Sequence, residues 1–271
     1  MNPIDAAFQK LRSTGHKAFI PFVTAGDPDL DATAALVREL SARGASLIEI
    51  GVPYSDPIAD GPVIQASYTR ALGRQVRLGD IFDMAARLSA SAPAGSLAPL
   101  VAMVSYSIVY RHGPDRFVAE ARRAGFSGAI VPDLPVDEAA ELAAVARRHD
   151  FKLILLVTPT TPRERAVEIA RLSTGFIYFV AVVGITGERA SIATTVADQV
   201  RWLKQQTTTP VCIGFGISTP DHVRTLAAVA DGVIVGSAIV RRVAEGAARP
   251  TVQVVQEIGD YVSTLAAALK G

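Results

Sequence analysis

Glu49 lies between Ile48 and Ile50, and a carboxylate set in an apolar strand is costly unless it is paired, neutralised or used. Its apolar neighbours disfavour the charged form and raise its pKa, which suits a proton donor near neutrality. The strand ends at Gly51. Pro53, Pro57, Gly61 and Pro62 then hold the next segment out of regular structure, and Pro62 suits the first turn of a helix. That segment carries Tyr54, Ser55, Asp56 and Asp60, so Glu49 and Asp60 face one strand end and suggest acid/base chemistry by carboxylates. Each also has a plainer role open to it. A strand-end glutamate can bind a backbone amide or an arginine, Asp60 can cap the helix after Gly61, and Asp56 can organise the turn.

A second set of residues suits an anion. Gly184-Ile185-Thr186-Gly187 follows the sixth predicted strand and Gly214-Phe215-Gly216-Ile217-Ser218 the seventh, while Gly236-Ser237 leads from the eighth straight into a helix. Glycine at such places lets backbone N–H groups approach a phosphate, and a helix N-terminus adds donors and its dipole. One such turn is weak, since tight turns alone require glycine and Gly214-Phe215-Gly216 lacks the third glycine of a dinucleotide loop. Three at consecutive late strands point to phosphate. Phe22, Ile64, Leu100, Tyr178, Phe215 and Ile234 are core residues by default, and are equally placed to wall a pocket for a flat aromatic group.

Other chemistries lack their residues. Of the five lysines, Lys17 and Lys152 fall at strand starts and Lys10, Lys204 and Lys270 on helices, which argues against a Schiff base. His16, His112, His149 and His222 show no metal-ligand spacing, and no Gly-Xaa-Ser-Xaa-Gly elbow suggests hydrolysis. What remains is acid/base chemistry by carboxylates near a bound phosphate, with no protein-derived electron sink. Cys212, the one cysteine, falls in an apolar run and reads as core; with no intrachain disulfide to form, a reducing compartment fits.

The elements that must position these residues alternate regularly. A leading helix is predicted over Asn2–Ser13, then strands over Ala18–Thr24, Ser46–Gly51, Pro99–Ser105, Gly128–Pro132, Lys152–Val157, Phe176–Val183, Pro210–Gly214 and Asp231–Val235. Helices are predicted between them, over Asp31–Arg43, Pro62–Leu72, Asp80–Ser89, Pro114–Ala124, Val136–His149, Arg163–Leu172, Ala193–Gln206 and Thr219–Ala228, with two more from Ala238 and over Val252–Leu269. Runs such as Leu153–Val157 read as parallel strands buried on both faces. Eight strand–helix units without a linker, over 271 residues of which 49% are hydrophobic, predict an α/β fold: a single (β/α)8 TIM barrel over residues 1–271, with an extra N-terminal helix and extra helices after strands two and eight. Chemistry in that fold belongs at the carboxyl ends of the strands.

Charge excludes some partners. Lys+Arg 27 against Asp+Glu 26 gives a net +1 with no basic run, hence no footprint for nucleic acid or an anionic membrane. Mean hydropathy is +0.30, yet no apolar run is long enough to span a bilayer and the N-terminus carries no signal-peptide core. A soluble, cytoplasmic protein is expected.

Taken together, the segment from Leu47 to Gln65 resembles, almost position for position, the signature of the tryptophan synthase alpha subunit family. Pro21-Phe22-Val23-Thr24-Ala25-Gly26-Asp27-Pro28, Asp133-Leu134-Pro135, Gly184-Ile185-Thr186-Gly187, Gly214-Phe215-Gly216-Ile217-Ser218 and Gly236-Ser237-Ala238-Ile239-Val240 match its other motifs in the same order. The resemblance implies retro-aldol cleavage of indole-3-glycerol phosphate to indole and glyceraldehyde 3-phosphate, without a cofactor, in tryptophan biosynthesis. It assigns proton transfer to Glu49 and stabilisation of the indole nitrogen to Asp60. Phosphate contacts fall on Gly187, Gly216, Gly236 and Ser237, ring contacts on Phe22, Leu100, Tyr178 and Phe215, and Thr186 belongs to a lid. It also implies a pyridoxal-phosphate beta subunit in an alpha2beta2 complex, fed with indole through a tunnel. Two segments depart from the family pattern: Ser105-Tyr106-Ser107-Ile108 stands where Tyr-Xaa-Asn-Pro is common, and Ala181-Val182-Val183 where polar residues are frequent. The first lies on the expected partner face. Another phosphate-binding barrel, an isomerase or an indole-glycerol phosphate synthase, would need a strand-end lysine or histidine. A binding module that only activates a beta subunit is the reading from a different class.

Overall fold

The computed structural model describes residues 1–58, 60–181, 189–214 and 216–269, with backbone alone for 189–194. Helix α1 (Pro3–Ser13) forms because Asn2 accepts a hydrogen bond from the Ile4 amide and Pro3 occupies the first helical position. Strand β1 (Ala18–Thr24) is buried at every position and leads to α2 (Leu30–Ala42), whose cap is Asp29 accepting from the Ala32 amide at 2.7 Å. Then follow β2 (Ile48–Gly51) with α3 (Pro62–Gly73) and α4 (Leu78–Ser91), β3 (Leu100–Met103) with α5 (Tyr106–His112) and α6 (Pro114–Arg123), and β4 (Phe126–Ile130) with α7 (Ala139–Arg148). β5 (Lys152–Ile154) and β6 (Leu156–Val157) precede α8 (Arg163–Leu172), and β7 (Ile177–Val180) precedes α9 (Arg189–Gln206). The chain closes with β8 (Val211–Gly214), α10 (Pro220–Ala227), β9 (Gly232–Val235), α11 (Ser237–Glu245) and α12 (Thr251–Ala267).

All nine strands pair in parallel in the order β5-β4-β3-β2-β1-β9-β8-β7-β6. β5 bonds to β4 and β6 to β7, and these two pieces are consecutive in the chain, joined at Leu155. The sheet therefore returns on itself as the expected (β/α)8 barrel, with its fifth strand in two pieces. The Leu155 amide explains the break: it donates to the Ser173 hydroxyl at 2.9 Å rather than to a neighbouring strand. The extra helices stand where the sequence places them, α1 before the first strand, α3 and α4 after β2, and α11 and α12 after the last.

Alternation along the strands separates two cores. Ile20, Val101, Ile130, Ile154, Cys212 and Ile234 point into the barrel, while Phe19, Ile48, Ile50 and Ala102 point out to the helices. Cys212 is thus a core residue. Helix α1 plugs the amino-terminal end: Ile4 and Phe8 join the inner core, Phe8 against Phe176 with ring centroids 5.9 Å apart. Asn2 fixes the plug by donating to the carbonyls of Ser127 at 3.0 Å and Asp150 at 2.7 Å, and Lys152 pairs with Asp5 at 2.5 Å on the same face.

Boundaries differ from expectation in several places, and β4, for one, runs Phe126–Ile130 rather than Gly128–Pro132. The third strand stops at Met103 and α5, which the sequence did not suggest, follows Ser105 as its cap. Its start is held from a distance, since the Asp133 carboxylate accepts from the Tyr106 amide and the Ser105 hydroxyl, each at 2.7 Å. Residues Val136–Glu138 form a 3-10 turn ahead of α7, and α9 starts at Arg189 rather than about Ala193. Among the described residues no helix is long and apolar enough to cross a membrane.

Asn2→Ala removes a helix cap and two long-range hydrogen bonds at a position only 1% exposed, so we expect a loss of about 2 kcal/mol in urea denaturation.

Candidate active site

In the sheet register Glu49 lies beside Phe22 on β1 and Val101 on β3, which turns its side chain inward. It is 1% exposed, and neither carboxylate oxygen has a hydrogen-bond partner among the described residues. Burial pushes its pKa well above the ordinary glutamate value. Burial thus favours the neutral acid over the carboxylate, leaving a group able to give a proton and disfavoured once it has done so.

Asp60 comes from the loop after β2 and is only partly buried. Its Oδ2 accepts a hydrogen bond from the Tyr54 hydroxyl at 3.4 Å. Burial raises its pKa to about 6, opposed by the Tyr54 hydrogen bond and reinforced by the nearby Asp133 charge. Above that pH it is the carboxylate. It does not cap the helix, because the cap of α3 is Gly61, with no side-chain bond. The loop is fastened by Gln65, whose Nε2 donates to the carbonyls of Asp60 at 2.8 Å and Pro57 at 3.2 Å. Helix α3 is in turn tied to the end of β1. Thr24 and Ser67 share a hydroxyl hydrogen bond of 2.7 Å, and Arg70 grips buried Asp27 with two bonds of 2.9 and 2.6 Å.

Both carboxylates line one cavity of about 710 Å³, counting its open mouth, at the carboxyl ends of the strands. Phe22, Ile64 and Tyr178 wall it on the apolar side, and Gly216, Gly236 and Ser237 form another part of the rim. Gly236 precedes α11 without any side-chain cap, which leaves the first amides of that helix for a ligand. Two glycines make room for tyrosines. A Cβ on Gly51 would come within 2.5 Å of Phe22 Cζ and 2.8 Å of Tyr68 Oη, and one on Gly214 would overlap the Tyr178 hydroxyl.

The sequence-predicted residues thus fall into three groups. Glu49, Asp60, Phe22, Ile64, Tyr178, Gly216, Gly236 and Ser237 meet at the cavity. Leu100 does not: strand alternation on β3 sends Val101 and Met103 inward, and Leu100 packs in the outer core against the helices. Ile234 points into the barrel but belongs to the core and not to the cavity wall. Thr186, Gly187 and Phe215 lie outside the described residues. Sequence reasoning missed Met103, Ile130, Leu156 and Val180, which line the cavity from β3, β4, β6 and β7. Period-two counting inward from Glu49's neighbours would have found Met103 in place of Leu100.

Among the described residues no group of three or more His, Cys, Asp or Glu side chains could hold a metal ion. Three histidines have local partners: His112 meets Glu120 at 2.7 Å, His149 meets Asp115 at 3.2 Å and His16 meets Thr14 at 2.8 Å.

A parallel (β/α)8 barrel with two carboxylates in different environments at its carboxyl-end mouth has the build of an enzyme of the barrel class. The family described as "Tryptophan synthase alpha chain" matches residues 8–270. A tryptophan synthase alpha chain of Rhodopirellula baltica is 50% identical over 276 residues, covering 99% of each chain, and one of Caldanaerobacter subterraneus is 42% identical over 98% of each. Among solved structures, tryptophan synthase subunit alpha from Legionella pneumophila superposes with a TM-score of 0.90 at 32% identity, over 100% of this chain and 99% of that one. A chain from the tryptophan synthase complex of Pyrococcus furiosus superposes with a TM-score of 0.80 at 35% identity, over 92% of this chain and 98% of that one. The chain belongs to the tryptophan synthase alpha chain family.

The raised pKa of Asp60 has a definite sign in stability. Its folded value of about 6 exceeds the ordinary 3.8, so its contribution is fully present below about pH 3.8 and is lost as pH rises through about 6. In urea denaturation across that window, wild type should lose stability relative to Asp60→Asn as pH increases; parallel curves would contradict the assignment.

Proposed function

We propose that Glu49 and Asp60 carry out the cleavage of indole-3-glycerol phosphate to indole and glyceraldehyde 3-phosphate, the alpha reaction of tryptophan biosynthesis. One observation carries the assignment: a buried, unpartnered carboxyl group on the wall of the cavity at the barrel mouth. Neutral Glu49 protonates C3 of the indole ring, which makes the ring nitrogen cationic. Ionised Asp60 stabilises that charge. The Glu49 carboxylate then takes the proton of the glycerol hydroxyl next to the ring; the carbon–oxygen double bond forms, the bond to C3 breaks, and its electrons return to the ring. Glu49 ends protonated as it began. The indole ring is itself the electron sink, so no step calls for a cofactor.

The environment favours this division of labour. Burial favours the protonated form of Glu49, whereas Asp60 is ionised above about pH 6. Phe22, Ile64 and Tyr178 suit a flat ring, and Gly216, Gly236 and Ser237 suit the phosphate; the family resemblance adds Gly187 to the phosphate contacts, Phe215 to the ring contacts and Thr186 to a lid. The one sheet and its shared core support reading residues 1–271 as a single domain, and the buried lone cysteine fits a cytoplasmic setting.

The same mouth suits a beta subunit as partner. Ile58, 82% exposed, borders a groove with Ile108 and Arg111 of α5, and Tyr110 on that helix is 71% exposed. Apolar groups left in water beside the active-site loop mark an interaction surface.

Incubation with indole-3-glycerol phosphate, with and without a beta subunit, should yield indole. Absence of indole in both would defeat the lyase reading. Glu49→Gln should lower turnover by about 10²- to 10⁴-fold, the usual effect of removing a general acid or base. Ile58→Asp should weaken co-elution with a beta subunit while leaving intrinsic lyase turnover within a few-fold; unchanged co-elution would move the partner surface elsewhere.

A further inference from the structure

Buried side-chain atoms without a hydrogen-bond partner are few among the described residues: Oε1 and Oε2 of Glu49, the hydroxyl of Tyr68, and Oε1 of Gln199. Three of these belong to one neighbourhood. Tyr68 is on α3, is 0% exposed, and packs with Phe22, Ile64 and Val240 over the end of β2. Its hydroxyl lies over Gly51, 2.8 Å from where a Cβ would stand. Gly51 and Glu49 are alternate residues of β2 and share its inward face.

Such a hydroxyl has no structural account. A buried tyrosine oxygen ordinarily finds a partner, and leaving one without is destabilising. A phenylalanine would fill the same space beside Tyr54, whose ring centroid is 5.6 Å away, without that cost. The unmatched groups are complementary in kind: Tyr68 offers a donor, and Glu49 offers acceptors whose need for one is greatest when it is ionised. Alternate residues on a strand are about 7 Å apart, a gap that a glutamate side chain and one hydrogen bond can cover.

We propose that Tyr68 is a positioning residue for this reaction: its hydroxyl is the donor held in reserve for the Glu49 carboxylate, engaged in the interval when Glu49 has given up its proton. With Glu49 neutral, neither group depends on the other. When C3 has been protonated the carboxylate is left in an apolar wall, and the Tyr68 hydrogen bond stabilises it there until the glycerol proton arrives. The proposal rests on the reading of Glu49 as proton carrier.

Other titratable groups face the same space. Asp60 comes from the loop after β2 and Tyr178 from β7, both lining the cavity, with Cys212 on β8 below; each of the latter two feels the Glu49 charge. Tyr54 and Asp60 act on Tyr68 together with Glu49. Lys17, Lys204 and Asp231 act on Cys212, and Asp133 acts on Asp60. The influence resolved on Glu49 itself is burial, with no cation among the described residues resolved as stabilising its anion. A neutral donor is what the site otherwise lacks.

The test is Tyr68→Phe in the full-length chain, which keeps the ring and removes the donor. With glutamate labelled by ¹³C at the carboxyl carbon, and the Glu49 signal assigned by its loss in Glu49→Gln, the Glu49 titration midpoint should move up by about one to two pH units. The sign follows from losing a hydrogen bond to the charged form. Turnover should fall about 10- to 100-fold with KM nearly constant, the pH limb set by Glu49 should shift upward, and the melting temperature should stay level or rise. Tyr68→Met, with no hydroxyl, should repeat the shift and serves if the first variant folds poorly. Coincident Glu49 titrations in wild type and variants would overturn the proposal. If wild type makes no indole, the kinetic arm falls with the lyase reading, and the titration alone still decides the Tyr68–Glu49 link.

Discussion

An ionisable side chain enclosed by hydrocarbon, with no donor bonded to it, is stable only in its uncharged form. Glu49 meets that condition because of register. It is the inward residue of a four-residue strand paired on both sides, and a slip of one position would turn it out among the helices and bring Ile48 or Ile50 inside. Such a slip is resisted by the whole barrel: β1 and β3 fix β2, the outer core buries Ile48 and Ile50, and α1 fills the far end so that the inner core is continuous beneath the mouth. The fold's contribution to chemistry is to hold one carboxyl group where water cannot stabilise its charge.

Asp60 depends on the opposite arrangement. It belongs to a loop, is only partly buried and has a hydroxyl bonded to it, so its pKa is raised to about 6, while full burial pushes that of Glu49 well above the ordinary value. Two residues of similar intrinsic acidity thereby stand in environments that treat their charged forms differently. The loop must still present Asp60 accurately. That is done through Gln65, which binds the loop's carbonyls, and through α3, which is anchored to β1 by Thr24–Ser67 and Asp27–Arg70. The loop is irregular in sequence character but tied at its base.

The rim proposed to meet a partner and the rim proposed for catalysis share one carboxylate among the described residues. Asp133, from the loop after β4, receives the Ser105 hydroxyl and the Tyr106 amide and so determines where α5 begins. Its charge also raises the pKa of Asp60. The helix that borders the exposed groove and the acid that faces the cavity therefore share one neighbour, which links the surface proposed for a beta subunit to the electrostatics of the site.

Much of this was legible in the chain itself. Eight apolar runs separated by amphipathic segments dictate a parallel barrel, because strands buried on both faces need helices to cover them. Ile48-Glu49-Ile50 followed by a proline- and glycine-rich loop located the two carboxylates, since local sequence alone makes a buried acid conspicuous. What required tertiary structure was everything decided by contacts between distant residues. Leu100 looked like a pocket residue until strand register turned it outward, and α5 appeared only because Asp133, 28 positions after Ser105, holds its first turn. The split of the fifth strand depends on the Ser173 hydroxyl, 18 positions from Leu155. Tyr68 reads in sequence as one aromatic among the small and polar residues of a helix, and only the fold sets its hydroxyl over Gly51. Periodicity determines which face of an element is apolar; which neighbours that face meets, and which polar atoms are left without partners, is determined by how the elements pack.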